Sequence, residues 1–120
     1  MRIIITGGAG FVASHLADRL LDKSKKIYLI DNLIRTNNLR NIKHLIDNKK
    51  VEFIQADVSD FDFNSLNNIT HLFHLASPRI NRCAKNNSEG HKSIADGGFN
   101  VVNYCSKNNV KLFFSSTASV

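Results

Sequence analysis

Residues 2–13 of the 120-residue sequence are RIIITGGAGFVA, and this stretch decides the fold. Its first part, Arg2–Thr6, is a mostly β-branched apolar run, which is typical of a parallel strand buried on both faces. Small residues follow at positions 7–10. From Phe11 onward the apolar residues recur every three or four positions, as on one face of a helix. The stretch therefore predicts a strand, a glycine-rich turn and a helix in immediate succession.

The same alternation of strands and helices continues along the chain. The further predicted strands are Ile27–Ile30, Val51–Gln55, residues 71–76 and residues 111–115. The predicted helices run from Phe11 to about Asp22, from Leu39 to Ile46 and from Ile94 to Cys105, and the polar segment Pro78–Ser88 is predicted to be a loop. This alternation is typical of the α/β class with a doubly wound parallel sheet, the Rossmann fold. The expected strand order is 3-2-1-4-5, with a ligand crevice at the carboxyl end of the first strand.

The turn after the first strand has the composition of a dinucleotide-binding loop. Gly7 and Gly10 permit a tight turn and let backbone N–H groups approach a pyrophosphate, which the amino terminus of the next helix also attracts. Asp31 follows about twenty residues later, where a carboxylate accepts hydrogen bonds from the adenosine ribose and repels a 2′-phosphate. These features favour NAD as the cofactor. Arg35 keeps NADP open, because a nearby arginine can accommodate the 2′-phosphate.

Composition and charge argue against several other classes of function. The net charge is +6, but the basic residues are scattered without an aromatic-interleaved stripe, so we expect no nucleic-acid partner. No apolar stretch approaches the length that spans a bilayer, and the apolar start of the chain is too short and glycine-broken for a signal peptide. Cys83 and Cys105 form no CxxC motif, and His71 and His74 are expected on opposite faces of a strand. We therefore expect a cytoplasmic protein with no metal site and no membrane partner.

Six segments match, in order and spacing, the motifs of one enzyme family. Residues 6–16, TGGAGFVASHL, are similar to a TGGxGFxGSHL signature, with Ala13 in place of the third glycine. The other segments are DNL at 31–33, QADVSD at 55–60, FHLAS at 73–77, GGFNVV at 97–102 and FSSTASV at 114–120. Together they resemble the extended short-chain dehydrogenase/reductases, the NAD-dependent epimerase/dehydratase family, over the whole chain.

The resemblance implies a set of residues that contact NAD. They are Gly7, Gly10, Phe11, Val12, Asp31, Asn32, Asp57, Val58, Leu75, Ala76, Ser77 and Ser115. Asp57 and the backbone after it would hold the adenine, and Leu75–Ser77 would pass beneath the cofactor. Arg79 is a candidate contact to sugar or phosphate. Ser93-Ile94 stands where the family often has Asn-Val, which weakens the transfer of a substrate role to this position.

The resemblance also implies the chemistry. In the family, bound NAD accepts a hydride from a sugar carbon, usually C4, and the hydride is later returned. A tyrosine of a Tyr-x-x-x-Lys motif is the base, and a Ser or Thr bonds the reacting oxygen; by resemblance, Thr117 is that hydroxyl. Neither Tyr28 nor Tyr104 begins such a motif. We therefore expect an incomplete NAD-binding domain at residues 1–120, without the catalytic helix and the substrate domain, and no turnover by these residues alone.

Several reactions of the family remain open. The resemblance favours a UDP-glucose 4-epimerase-like enzyme that acts on a UDP- or dTDP-linked sugar and is a homodimer at full length. Leu75-Ala76-Ser77-Pro78 resembles instead the LASP of the UDP-glucuronate decarboxylases, and a sugar 4,6-dehydratase is a further alternative. A non-catalytic NAD(P)-sensing protein is the alternative of another class, which an intact Tyr-x-x-x-Lys motif downstream would exclude.

Overall fold

A five-stranded parallel sheet forms the centre of the protein in the computed structural model, which describes residues 1–78 and 80–116. The strands are β1 Arg2–Thr6, β2 Lys26–Asp31, β3 Val51–Gln55, β4 His71–His74 and β5 Lys111–Phe114. Their order is β3-β2-β1-β4-β5, and every neighbouring pair is parallel. The predicted doubly wound sheet with order 3-2-1-4-5 is confirmed.

Helices connect the strands. They are α1 Phe11–Leu20, α2 Lys43–Ile46, α3 Ile80–Lys85, α4 Asn87–His91 and α5 Gly97–Asn108. Short 3-10 turns lie at Thr36–Asn41 and Phe63–Ser65, and a wider π-helical turn at Lys92–Asp96 joins α4 to α5. The helix α5 ends at Asn108, and Asn109, which caps it, adopts the left-handed conformation with a φ of 54°.

The sheet separates two apolar cores. Ile3 and Ile5 of β1 pack with Ala13 and Ala17 of α1 on one face. Ile4, between them in sequence, belongs to the other core, which contains Val101 of α5. All three isoleucines are fully buried, because successive side chains of a strand point to opposite faces and both faces are covered. This arrangement explains why the β1 sequence is continuously apolar instead of alternating.

The predicted loop Pro78–Ser88 is wrong, because α3 and the start of α4 lie within it. The Asn86 side chain accepts a hydrogen bond from the backbone N–H of Glu89 at 3.1 Å and so caps α4. The Arg82 guanidinium contacts the Glu89 carboxylate at 2.6 Å and links the two helices. The asparagine side chain forms local hydrogen bonds to the backbone, and for this reason asparagine is common both in turns and at helix caps. An Asn-rich segment with helices therefore resembles a loop in sequence.

Some element ends also differ from the predictions. The strand β4 ends at His74 and not at residue 76, because the N–H of Ala76 turns toward the Thr6 side chain at 3.3 Å. The strand β5 ends at Phe114, although the Ser115 N–H still donates to the His74 carbonyl at 3.1 Å. The late helix begins before the expected Ile94, since α4 and the π-helical turn precede α5 without a break.

Membrane-spanning helices and metal-binding clusters are both absent from the part of the chain that the structure describes. No helix within residues 1–78 and 80–116 has the length and apolar character needed to cross a membrane. The same residues contain no group of three or more His, Cys, Asp or Glu side chains that could hold a metal ion.

Candidate cofactor site

A cleft of about 260 Å³ lies where β1 ends, between the loops that follow β1, β2, β3 and β4. In an open parallel sheet, ligands bind at the carboxyl ends of the strands, at the point where the strand order reverses. The residues that line the cleft are Gly7, Gly10, Ile30, Asp31, Asn32, Ile34, Arg35, Asn38, Ala56, Val58, Leu75, Ala76, Ser77 and Ser93.

Eight of the twelve predicted cofactor contacts line this cleft. They are Gly7, Gly10, Asp31, Asn32, Val58, Leu75, Ala76 and Ser77. Of the other four, Phe11 and Val12 are exposed at the start of α1, and Ser115 directly follows β5. Asp57 accepts a hydrogen bond from Asn32, which itself lines the cleft, at 3.3 Å. Cofactor contact by these twelve residues stays a prediction.

The remaining candidates are distributed as follows. Thr117 and Arg79 lie outside the described residues. Ile34, Asn38 and Ala56 also line the cleft, although no cofactor contact was predicted for them from the sequence. Their positions in the sequence could have indicated them, because Ile34 and Asn38 follow Asp31 within seven residues and Ala56 precedes Asp57.

The glycine loop lies against β2 and against the segment that follows β4, at distances that exclude larger residues. Gly7 has a φ of +67°, and a Cβ there would lie 2.9 Å from the Ala76 nitrogen. A Cβ on Gly8 would lie 2.7 Å from the Leu29 Cβ. A Cβ on Gly10 would meet the Gly7 carbonyl oxygen at 3.0 Å and no other described atom closely, so its side toward the cleft is open. Glycine is thus required at 7 and 8 by contact within the protein, whereas Gly10 leaves room for a ligand.

The helix α1 begins at this open position. Gly10 is its N-cap residue, and no side chain among the described residues caps the first turn. The first N–H groups of a helix lack partners within the helix, and their partial positive charge attracts anions. The mouth of α1 beside Gly10 can therefore accept a diphosphate.

Asp31 ties the glycine loop to the turn after β2. One carboxylate oxygen accepts a hydrogen bond from the Ala9 N–H at 3.1 Å, and the other accepts from the Leu33 N–H at 2.8 Å. Asn41 holds Ala9 from the other side by donating to its carbonyl at 3.0 Å. A carboxylate oxygen can accept more than one hydrogen bond, so Asp31 retains capacity for hydroxyl groups of a ligand in the cleft.

Asp57 organises the loop after β3. Its carboxylate accepts hydrogen bonds from the Ser59 N–H at 2.9 Å and from the Ser59 hydroxyl at 2.7 Å. Partial burial opposes ionisation of this carboxyl, but the hydrogen bonds from Ser59 and Asn32 outweigh burial and lower its pKa. Asp57 is thus a fixed negative charge beside Val58, which faces the cleft.

A buried pair, Thr6 and His74, fixes the floor of the cleft. The Thr6 hydroxyl oxygen accepts from the N–H groups of Leu75 at 3.2 Å and Ala76 at 3.3 Å. It lies 2.8 Å from Nδ1 of His74, so the hydroxyl donates its one hydrogen to that nitrogen. His74 is then neutral, with its proton on Nε2, and burial lowers the pKa of its imidazole.

Comparison with known proteins gives a match over almost the whole chain. The model of the NAD dependent epimerase/dehydratase family matches residues 3–120. UDP-glucuronic acid decarboxylase 1 of Danio rerio is 34% identical over 119 residues, which are 99% of this chain and 28% of that protein. The chain thus spans less than a third of the length of this relative.

Solved structures agree with the sequence match. The UDP-glucose 4-epimerase of Thermus thermophilus in complex with NAD superposes with a TM-score of 0.79 at 30% identity, over 98% of this chain and 38% of that one. The Bordetella bronchiseptica enzyme WbmG in complex with NAD and UDP gives a TM-score of 0.82 at 30% identity over the same shares. Because the family model matches nearly every residue, the chain belongs to the NAD-dependent epimerase/dehydratase family, a family of NAD-dependent enzymes.

Proposed function

We propose that residues 1–120 are the NAD-binding domain of an enzyme that acts on a nucleotide-linked sugar. The observation that carries the proposal is the cleft at the end of β1, where the open Gly10, the uncapped start of α1 and the Asp31 carboxylate meet. These groups fit the two chemical features of a dinucleotide, a diphosphate and a ribose with free hydroxyls. When bound, NAD supplies a hydride acceptor.

Each wall of the cleft has a proposed part in binding. Gly10, which has no side chain, lets the diphosphate approach the backbone N–H groups of Phe11 and Val12. Asp31 and Asn32 accept and donate hydrogen bonds at the adenosine ribose. Asp57 and Val58 flank the adenine. Leu75, Ala76 and Ser77 support the cofactor from below, Ser115 lies at the nicotinamide end, and the Thr117 hydroxyl bonds the reacting sugar oxygen.

The proposed reaction is epimerisation at a sugar carbon of a UDP- or dTDP-linked sugar by transient oxidation. The similarity to a solved UDP-glucose 4-epimerase supports it. UDP-glucuronate decarboxylation is the second candidate, which the identity to the Danio rerio decarboxylase and the LASP segment at 75–78 favour. The two candidates predict different products from the whole enzyme: a C4 epimer from UDP-glucose, or a pentose nucleotide and CO2 from UDP-glucuronate.

We further propose that the whole enzyme is a cytoplasmic homodimer. Phe99 and Val102 are both exposed and lie one turn apart on α5, which supports an apolar contact between subunits. Cys83 and Cys105 are free thiols, which supports a reducing compartment. Light scattering of the whole enzyme would contradict the dimer if the unchanged protein had the mass of one chain. It would contradict the contact through α5 if Phe99→Ser, with Lys107→Ser as the control, kept the mass of the dimer.

Calorimetric titration with NAD and NADP tests the cofactor assignment. We expect NAD to bind more tightly than NADP, because the Asp31 carboxylate repels a 2′-phosphate. Asp31→Ala and Gly10→Val should each weaken NAD binding at least about tenfold, which corresponds to about 1.4 kcal/mol. Asp47→Ala, which removes an exposed carboxylate at the end of α2, is the matched control. Unchanged NAD affinity in both cleft variants would contradict the proposed site.

A further inference from the structure

Among the described residues, Asn100 is the side chain of α5 that forms hydrogen bonds with the loop after β3. The Nδ2 group of Asn100 donates one hydrogen bond to the Val58 carbonyl at 2.8 Å and another to the Phe61 carbonyl at 2.9 Å. An amide nitrogen has two hydrogens, so both are used on the same loop. The side chain is half-buried. Its two hydrogen bonds bridge the two ends of residues 58–61 from behind the cleft.

A glycine one turn earlier brings the helix close enough for this contact. A Cβ on Gly97 would lie only 2.7 Å from Cγ2 of Val58. Val58 is buried, with 6% of its surface exposed, and it lines the cleft on its other side. The position of Val58 is therefore set by α5, by packing against Gly97 and by the hydrogen bond from Asn100.

The other side of the loop is set by Asp57. The Asp57 carboxylate holds Ser59 by two hydrogen bonds, and the Asp57 carbonyl accepts from the Phe61 N–H at 3.0 Å. These contacts fix the internal shape of the turn, but they lie within the turn itself. Among the described side chains, Asn100 is the one on α5 that donates hydrogen bonds to the carbonyls of this turn.

We propose that Asn100 is a positioning residue of the cofactor site, which holds the Asp57–Val58 wall at the distance that selects adenine. The inference rests on the proposed NAD-binding function. Asn100 lies behind the wall and touches no ligand in this arrangement. It acts by placing Asp57, which can accept a hydrogen bond from the adenine amino group, and the apolar Val58, which packs on the ring.

Adenine selectivity separates positioning from a general structural role. The measurement is the affinity for NAD and for nicotinamide hypoxanthine dinucleotide, in which an oxygen replaces the adenine amino group. We expect the unchanged protein to prefer NAD. In Asn100→Ala, NAD affinity should fall about tenfold and the preference over the hypoxanthine analogue should fall toward one. Asn100→Asp keeps the shape of the side chain but places a carboxylate against two carbonyls, and it should have the same effect.

Asn103→Ala is the matched control, since Asn103 lies on the same helix and makes no side-chain hydrogen bond to the described residues. It should leave both affinities unchanged. All titrations are made well below the melting temperature of each variant, with near-ultraviolet circular dichroism to verify that the variant is folded. Equal losses for the two dinucleotides, or unchanged affinities in folded Asn100 variants, would overturn the inference while NAD binding by the unchanged protein stood. Failure of the unchanged protein to bind NAD would overturn the proposed function and the inference together.

Discussion

Replacing Thr6 by valine should destabilise the protein by about 2 kcal/mol, almost entirely through His74. Valine has nearly the same shape, so the substitution removes the hydroxyl and leaves little cavity. The Leu75 N–H keeps an acceptor in the Thr6 carbonyl at 3.3 Å, and Ala76 is only partly buried, beside the cleft. Nδ1 of His74 is different, because His74 is buried and loses its hydrogen-bond donor. A buried acceptor without a partner costs about 1–3 kcal/mol.

Urea unfolding at pH 7.5, followed by circular dichroism, measures this loss. For a domain of this size, about 2 kcal/mol corresponds to a fall in melting temperature of about 8 °C. Thr70→Val is a matched control, because the Thr70 hydroxyl accepts from the Arg2 N–H at 3.1 Å and contacts Nδ1 of His71 at 2.7 Å on an exposed surface. Water can replace those bonds, so Thr70→Val should change stability by less than about 0.5 kcal/mol. Equal effects of the two substitutions would refute the reasoning about Thr6.

Three further predictions concern His74, the glycine loop and the cysteines. The pKa of His74 is lower in the folded than in the unfolded chain, so the unfolded chain takes up the proton first and stability should decrease as the pH falls below about 6.5. In His74→Gln this decrease should be shallower, and an identical slope in urea titrations between pH 7 and 5 would contradict the assignment. Gly8→Ala should lower the free energy of unfolding by about 3 kcal/mol, because its Cβ would meet Leu29 Cα at 2.8 Å. Gly10→Ala, measured in the same way, should lower it by less than about 1 kcal/mol. A larger loss for Gly10→Ala than for Gly8→Ala would count against the loop geometry. Burial raises the pKa of the Cys105 thiol to about 11, so at pH 8 about one molecule in a thousand carries the thiolate at this position. Ellman's reagent should therefore label the half-buried Cys83 before Cys105. Faster labelling of Cys105 would contradict its burial.

The sequence was sufficient to predict the sheet order and most of the cleft. Parallel strands buried on both faces produce long apolar runs, and the Arg2–Thr6 run is of this kind. Gly7 and Asp31 are recognisable because the turn and the strand end each demand a particular residue type, and both residues line the cleft. Local chemistry was enough at these positions.

Other features depend on contacts between segments that are distant in sequence. Asn100 and the carbonyls that it binds are about forty residues apart, and an asparagine in a helix gives no sign of which backbone groups it will meet. The π-helical turn at Lys92–Asp96, which brings Ser93 to the cleft, likewise has no distinctive composition. Asn86 shows the third kind of difficulty, since its capping of α4 and its preference for turns have the same physical origin.

The isoleucines of β1 point to opposite faces of the sheet, so the layers on the two faces have separate apolar cores. Changes around Ile3 and Ile5 act on the layer that carries α1 and the glycine loop, while changes around Ile4 act on the layer that carries α5 and the wall at Val58. Substitutions without shared neighbours add in their effects on stability. The surroundings of the glycine loop and of the wall at Val58 can therefore diverge independently, one layer accumulating substitutions while the other stays as it is.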